Sequence, residues 1–211
     1  FGATLHIVGY DDIGIVTNIT SIITKEKNYS LENIFNKQYD EKELNIKQSS
    51  PFVTFVNITK SGELKLVFKS SKEYTLNVVV NINEGLDVNL TQVSFENEKN
   101  NNLLLEVVCH NNTNVKYTTI EANKNETKSK VNFYVLENVN IEVDTLSLND
   151  EKVDNCLNVY LLKQFSHLIL NNAIINNTSL IQAYDFNVYH LNKDSDSTLT
   201  NYAICKDNSV L

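Results

Sequence analysis

Residues 102–121, NLLLEVVCHNNTNVKYTTIE, decide the fold. Two strand-like runs, 102–109 (NLLLEVVC) and 114–121 (NVKYTTIE), flank a polar corner rich in Asn. The runs are dense in Leu, Val, Ile, Tyr and Thr, apolar or β-branched side chains that suit a pleated, half-buried surface. A tight hairpin at such a corner calls for Asn-Gly or Asp-Gly, and neither pair occurs anywhere in the chain. Asn tolerates the left-handed backbone region. Asn-rich corners between short strands therefore suit a β-solenoid, in which strands stack coil on coil.

The same pattern extends outward on both sides. Before the central stretch lie runs at 51–59, 63–68, 75–82 and 86–93; after it lie 130–136, 139–146, 156–162, 166–175, 179–185 and 198–205. Asn, Lys, Glu, Asp and Ser separate them, with Pro51 the only proline and five glycines in all. The runs follow no strict sequence period. From about residue 42 onward the chain reads as mainly β.

The first 45 residues differ in kind. ATLHIVG at 3–9 reads as a strand, and Tyr10-Asp11-Asp12-Ile13-Gly14 as a turn with an acidic pair. Ile15, Ile19, Ile22 and Ile23 fall at helical spacing in 15–26, which predicts an amphipathic helix; SLENIFN at 30–36 reads as a second strand. Two units follow from this: a βαβ segment over 1–45 and a β-rich body over 46–211.

Composition narrows the function classes. The 211 residues carry 26 acidic against 18 basic side chains, a net charge of −8, and every basic residue is Lys. Arg forks and a positive surface, which sequence-specific nucleic-acid binding uses, are both missing, so that class is set aside. No apolar run approaches the ~20 residues that span a bilayer. Asn fills 33 positions, and an AT-rich coding sequence would give that bias without function behind it. The joint absence of Met, Trp and Arg has no physical explanation in the sequence. The chain opens on Phe1, as expected of a fragment.

Cys109, Cys156 and Cys205 form neither a CxxC pattern nor an even disulfide framework, and their apolar surroundings (VVC, NCL, AIC) predict buried thiols in a reducing compartment. Cys109-His110 is the one Cys/His adjacency, but neighbours on a strand point to opposite faces and cannot share a metal. Sequons at Asn18, Asn57, Asn89, Asn111 and Asn125 matter only in a secreted protein. Asp11 and Asp12, with Gly14, could bind a cation or an amine; a solvated turn favourable to the helix dipole accounts for the acids more simply. Asp185 and His190 form the best polar pair by sequence. Nothing matches a GxSxG, Walker or HExxH motif, so no catalytic centre is expected.

Two resemblances attach to these residues. The motif Gly9-Tyr10-Asp11-Asp12-Ile13-Gly14-Ile15-Val16-Thr17-Asn18-Ile19-Thr20 resembles an ACT domain, which implies a βαββαβ unit whose first loop (Asp11, Asp12, Gly14) binds a small molecule. From about residue 42 the chain resembles the SufB/SufD family, closer to SufD. The likeness is carried by LNIKQSSPFVTFVNI (44–58), by NLLLEVVCHNNTNVKYTTIE (102–121), and by the tail from VDNCLNVYL to YDFNVYHLNKDSDSTLTNYAICKDNSVL (153–211). Asp185 and His190 fall where the family has an Asp, a His some residues on, and a Ser, with a shorter spacing here; Tyr202 stands at a usual Lys.

That resemblance implies a right-handed parallel β-helix truncated at its C-terminal end. It implies a non-catalytic scaffold in iron–sulfur cluster assembly, in the cytoplasm, with a SufB-like paralogue and a SufC-like ATPase, or a homodimer, as partners. No cofactor belongs to the fragment itself, and a cluster passes transiently through the assembled complex. Two further readings stand beside it: an ACT-type regulatory module fused to a β-rich domain, and a secreted β-solenoid surface protein.

Overall fold

The computed structural model describes residues 28–30, 42–47, 53–69, 75–95, 101–177 and 179–206. In chain order the strands are β1 (Asn28–Ser30), β2 (Lys42–Lys47), β3 (Val53–Ile58), β4 (Gly62–Lys69), β5 (Thr75–Ile82), β6 (Asp87–Phe95) and β7 (Asn101–Cys109). They continue with β8 (Asn114–Ala122), β9 (Thr127–Val135), β10 (Asn140–Ser147), β11 (Val153–Leu161), β12 (His167–Asn176), β13 (Gln182–His190) and β14 (Asp196–Cys205). Odd strands form one seven-stranded sheet and even strands another, and every pairing is parallel. The chain thus crosses from sheet to sheet at each corner and returns one coil later: a parallel β-solenoid. No helix occurs among the described residues.

Register explains the missing sequence period. Side chains stacked on neighbouring coils are 24 residues apart at Asn57/Asn81, 26 at Asn132/Asn158 and 29 at Asn158/Asn187. Corners absorb the variable length while strands stay aligned. Inward columns carry the core: Val78–Leu105–Val131–Leu157 and Val80–Val107–Phe133–Val159 in the first sheet face Val88–Val115–Ile141–Leu168 and Leu90–Tyr117–Val143–Leu170 in the second. Burying one such side chain contributes about 1.5–3 kcal/mol. A register slip of one residue would turn every one of them outward.

The run expected at 179–185 is corrected to β13, Gln182–His190. Pairing with Val153–Leu161 of β11 sets those bounds and turns Phe186 and Val188 toward the core. The expected βαβ segment, with its helix over 15–26, lies outside the described residues apart from β1, which pairs in parallel with β3.

One corner recurs with the same backbone. Gly85 (φ 74°), Asn112 (60°), Asn138 (56°), Phe165 (60°) and Asp194 (56°) all take the left-handed conformation. Their amides bond to the next coil: Gly85 to Asn111 O (3.0 Å), Asn112 to Glu137 O (3.0 Å), Asn138 to Gln164 O (3.1 Å) and Phe165 to Asp194 O (2.9 Å). Gly, Asn and Asp enter this region at low cost, and Phe does not.

Many of the asparagines stack as well. Asn187 donates to Asn158 (3.1 Å), Asn158 to Asn132 (2.9 Å) and Asn132 to Glu106 (3.4 Å). Asn140 donates to Asn114 (2.8 Å) and Asn114 to Asp87 (2.6 Å); Asn138 donates to Asn112 (2.8 Å) and Asn112 to Glu84 (3.2 Å). Beside the first ladder, Tyr134, Tyr160 and Tyr189 stack with centroids 5.3 and 4.8 Å apart.

Phe165→Asn is expected to raise stability by about 1 kcal/mol, because it relieves the left-handed strain at a half-exposed side chain. Urea unfolding would show a higher midpoint at unchanged slope. A midpoint that stays put or falls would mean that contacts of the ring outweigh the backbone cost.

Candidate functional site

The inside of the solenoid is not uniformly apolar. Along β8 the inward positions run Val115, Tyr117, Thr119, Glu121, so the alternation persists while its chemistry changes from apolar to polar. The same change occurs on the strands paired with it. Gln92 lies beside Thr119 and Thr145 beyond it, while Ser94 and Ser147 flank Glu121. The facing sheet contributes Ser129, Asn155 and Tyr184, again in one register column. One long side of the interior is therefore lined by hydrogen-bonding groups.

Glu121 is its centre. Its carboxyl accepts from Asn155 Nδ2 (2.7 Å) and Asn149 Nδ2 (3.3 Å), with no cation beside it among those contacts. Ser129 donates to Asn155 (2.8 Å), Asn149 donates to Ser147 (2.8 Å), and Tyr184 meets Ser147 at 2.5 Å. Tyr117 donates to Gln92 Oε1. Burial pushes the Glu121 carboxyl above the usual carboxylate range, and the two amide hydrogen bonds only partly oppose it. Burial, reinforced by the nearby Glu121, likewise raises the Tyr117 hydroxyl. The arrangement favours a neutral acid held between the sheets.

The residues singled out by sequence sit elsewhere. Asp11, Asp12 and Gly14 lie outside the described residues. Asp185 and His190 are both exposed on β13, where alternation sends them to opposite faces and five steps of strand separate them by about 16 Å. The structure does not bring these two side chains together. His190 instead meets Ser195 (Nδ1, 3.0 Å) and Ser197 (Nε2, 2.9 Å), so the His and Ser of that stretch converge without the Asp.

Of the cysteines, Cys109 is buried and its thiol is pushed up to about 12 by desolvation, which makes it unreactive. The expectation of three buried thiols is corrected: Cys156 is half-buried, and Cys205 is exposed at the register position of buried Asn176 on β14, the last described strand. His110 faces away from Cys109 and meets Asn81 Oδ1 at 2.9 Å; burial lowers its pKa. Among the described residues no three His, Cys, Asp or Glu side chains are grouped to hold a metal ion.

Sequence reasoning missed two features. The Glu121 cluster was legible in principle, since the alternation in NVKYTTIEA continues into polar residues. The second is an apolar stripe on the outer face of the even-numbered sheet. Val93, Ile120, Leu146, Ala173 and Tyr202 are successive register partners, with Ile175 beside Ile204 in the neighbouring column. Val93, Leu146, Ala173 and Ile175 are half-buried, Ile120 is 37% exposed, and Tyr202 and Ile204 are exposed on β14, the last described strand. Registration across coils 26 to 29 residues long put it out of reach of a linear reading.

Glu121→Gln tests the neutral acid. A folded-state pKa above the unfolded one gives stability that is full below the ordinary value of 4.5 and is lost as pH rises through the raised value. The wild type is therefore expected to lose stability relative to Glu121→Gln between mildly acidic and neutral pH in chemical unfolding. Parallel curves for the two proteins would mean that Glu121 is ionised in the fold.

Compared with known families, residues 67–211 match the model described as SUF system FeS cluster assembly, SufBD core domain. No curated protein and no solved structure matches the chain.

Proposed function

The chain belongs to the SufBD core-domain family of the SUF iron–sulfur cluster assembly system, and from that premise we propose that it is a non-catalytic, SufD-like scaffold subunit. It works in the cytoplasm, beside a SufB-like paralogue and a SufC-like ATPase, or as a homodimer. The cluster is cargo of the assembled complex rather than a resident group of this chain. The observation that carries the reading is the family match over residues 67–211, and the apolar column that includes Tyr202 and Ile204 on the outer face of the even-numbered sheet supports it.

A scaffold must offer a stiff surface at a fixed spacing, and the parallel ladder supplies one. Tyr202 and Ile204 alternate outward on β14, and with Ile175 they form an aromatic-aliphatic cluster of the kind that anchors protein interfaces.

Anaerobic affinity purification of the full-length protein from its own host tests this. A SufB-like subunit and an ATPase, identified by mass spectrometry, are expected to co-purify. Tyr202→Asp combined with Ile204→Asp is expected to cut that recovery about tenfold or more while leaving the β-type circular dichroism unchanged. Purification of the wild-type protein without either partner, and without self-association, would overturn the scaffold reading.

A further inference from the structure

The polar side of the interior encloses a small cavity between the two sheets, of about 40 Å³. Gln92 and Thr119 line it from the even sheet, Ser129 and Asn155 from the odd sheet, with Glu121 and Tyr184 nearby on its wall. Gln92 is fully buried (0% exposed). Its Oε1 accepts from Tyr117, but its Nε2 has no partner. A buried N–H left unpaired costs about 1–3 kcal/mol, so an occupant able to accept this hydrogen bond is strongly favoured.

The chemistry of the wall selects that occupant. A cation is disfavoured, because the group seeking a partner is a donor and because the Glu121 carboxyl is held toward its neutral form. An anion is disfavoured as well: no Lys or His lines the cavity, and Glu121 does. An apolar guest would leave Gln92 Nε2 as it is. Water satisfies every condition, since it accepts and donates and needs two to four polar neighbours, which the hydroxyls of Thr119, Ser129 and Tyr184 and the Glu121 carboxyl supply. The volume exceeds the ~10–15 Å³ that one water requires.

We propose that this cavity is a built hydration site, in which ordered water accepts from Gln92 Nε2 and bridges the even sheet to the odd one. The bound water completes the hydrogen bonding of the interior and makes the polar side a cross-link between the sheets.

A crystal structure of the full-length protein at atomic resolution tests the site directly. Density for water 2.7–3.2 Å from Gln92 Nε2 is expected. A dry cavity, a rotated Gln92 paired with a protein group, or a monatomic ion identified by anomalous scattering would each overturn the proposal. In solution, oxygen-17 relaxation dispersion counts long-lived buried waters, and Gln92→Leu is expected to show at least one fewer than the wild type. An unchanged count in a folded variant would also overturn it. If Gln92→Leu does not fold, xenon uptake by the wild type decides: exclusion is expected, and occupancy of this cavity would mean that it is dry.

Discussion

Everything in this molecule depends on the in-register parallel pairing of each strand with the strand one coil away. The coils bury their apolar columns only if the side chains of successive coils stand over one another, and the backbone ladder enforces that alignment. Neither half suffices alone. The ladder could slip were it not for the inward columns, and the columns could not close without the corners that return the chain to register. Because a shift of one residue exchanges inside for outside, register is specified at every strand at once. The corners are then free to vary in length, which is how a repeating structure arises from a sequence without a repeat.

Most of the fold was legible in the residues for that reason. Apolar alternation in runs such as NLLLEVVC and NVKYTTIE located the strands, and the absence of Asn-Gly and Asp-Gly excluded tight hairpins. Asn at the corners pointed to the left-handed turn that Asn112 and Asn138 adopt. The shift of β13 was not legible, since its bounds come from pairing with β11 rather than from its own composition. Features that depend on juxtaposition across coils were hidden too. Glu121 meets Asn149 and Asn155 from 28 and 34 residues away, and His167 meets Asp196 from 29. Conversely, Asp185 and His190 are close in sequence and apart in space, because a strand separates neighbours that a helix would unite.

The apolar and the polar sides of the solenoid interior divide the labour of specifying this fold. Apolar columns on one side supply the bulk of the stabilisation, whereas the Glu121 cluster supplies little net energy and a great deal of selectivity. A polar network sealed between two sheets tolerates few alternative pairings, since any slip leaves several buried groups without partners. The stiffness that results suits a chain from a family working in multi-subunit assembly. A platform of this kind holds its outward side chains at spacings fixed by the backbone, about 4.8 Å from one strand to the next.

The asparagine ladders carry a sense of direction. The amides of Asn132, Asn114 and Asn112 donate to Glu106, Asp87 and Glu84, which leaves each amide oxygen to accept from the amide of the following coil. Each acid thereby orients the whole column behind it: Asn132, Asn158 and Asn187 in one, Asn114 and Asn140 in another, Asn112 and Asn138 in a third. Their amide dipoles add head to tail along the solenoid axis, positive ends toward the early coils. Within these coils the ladders thus have an electrical polarity written by three side chains.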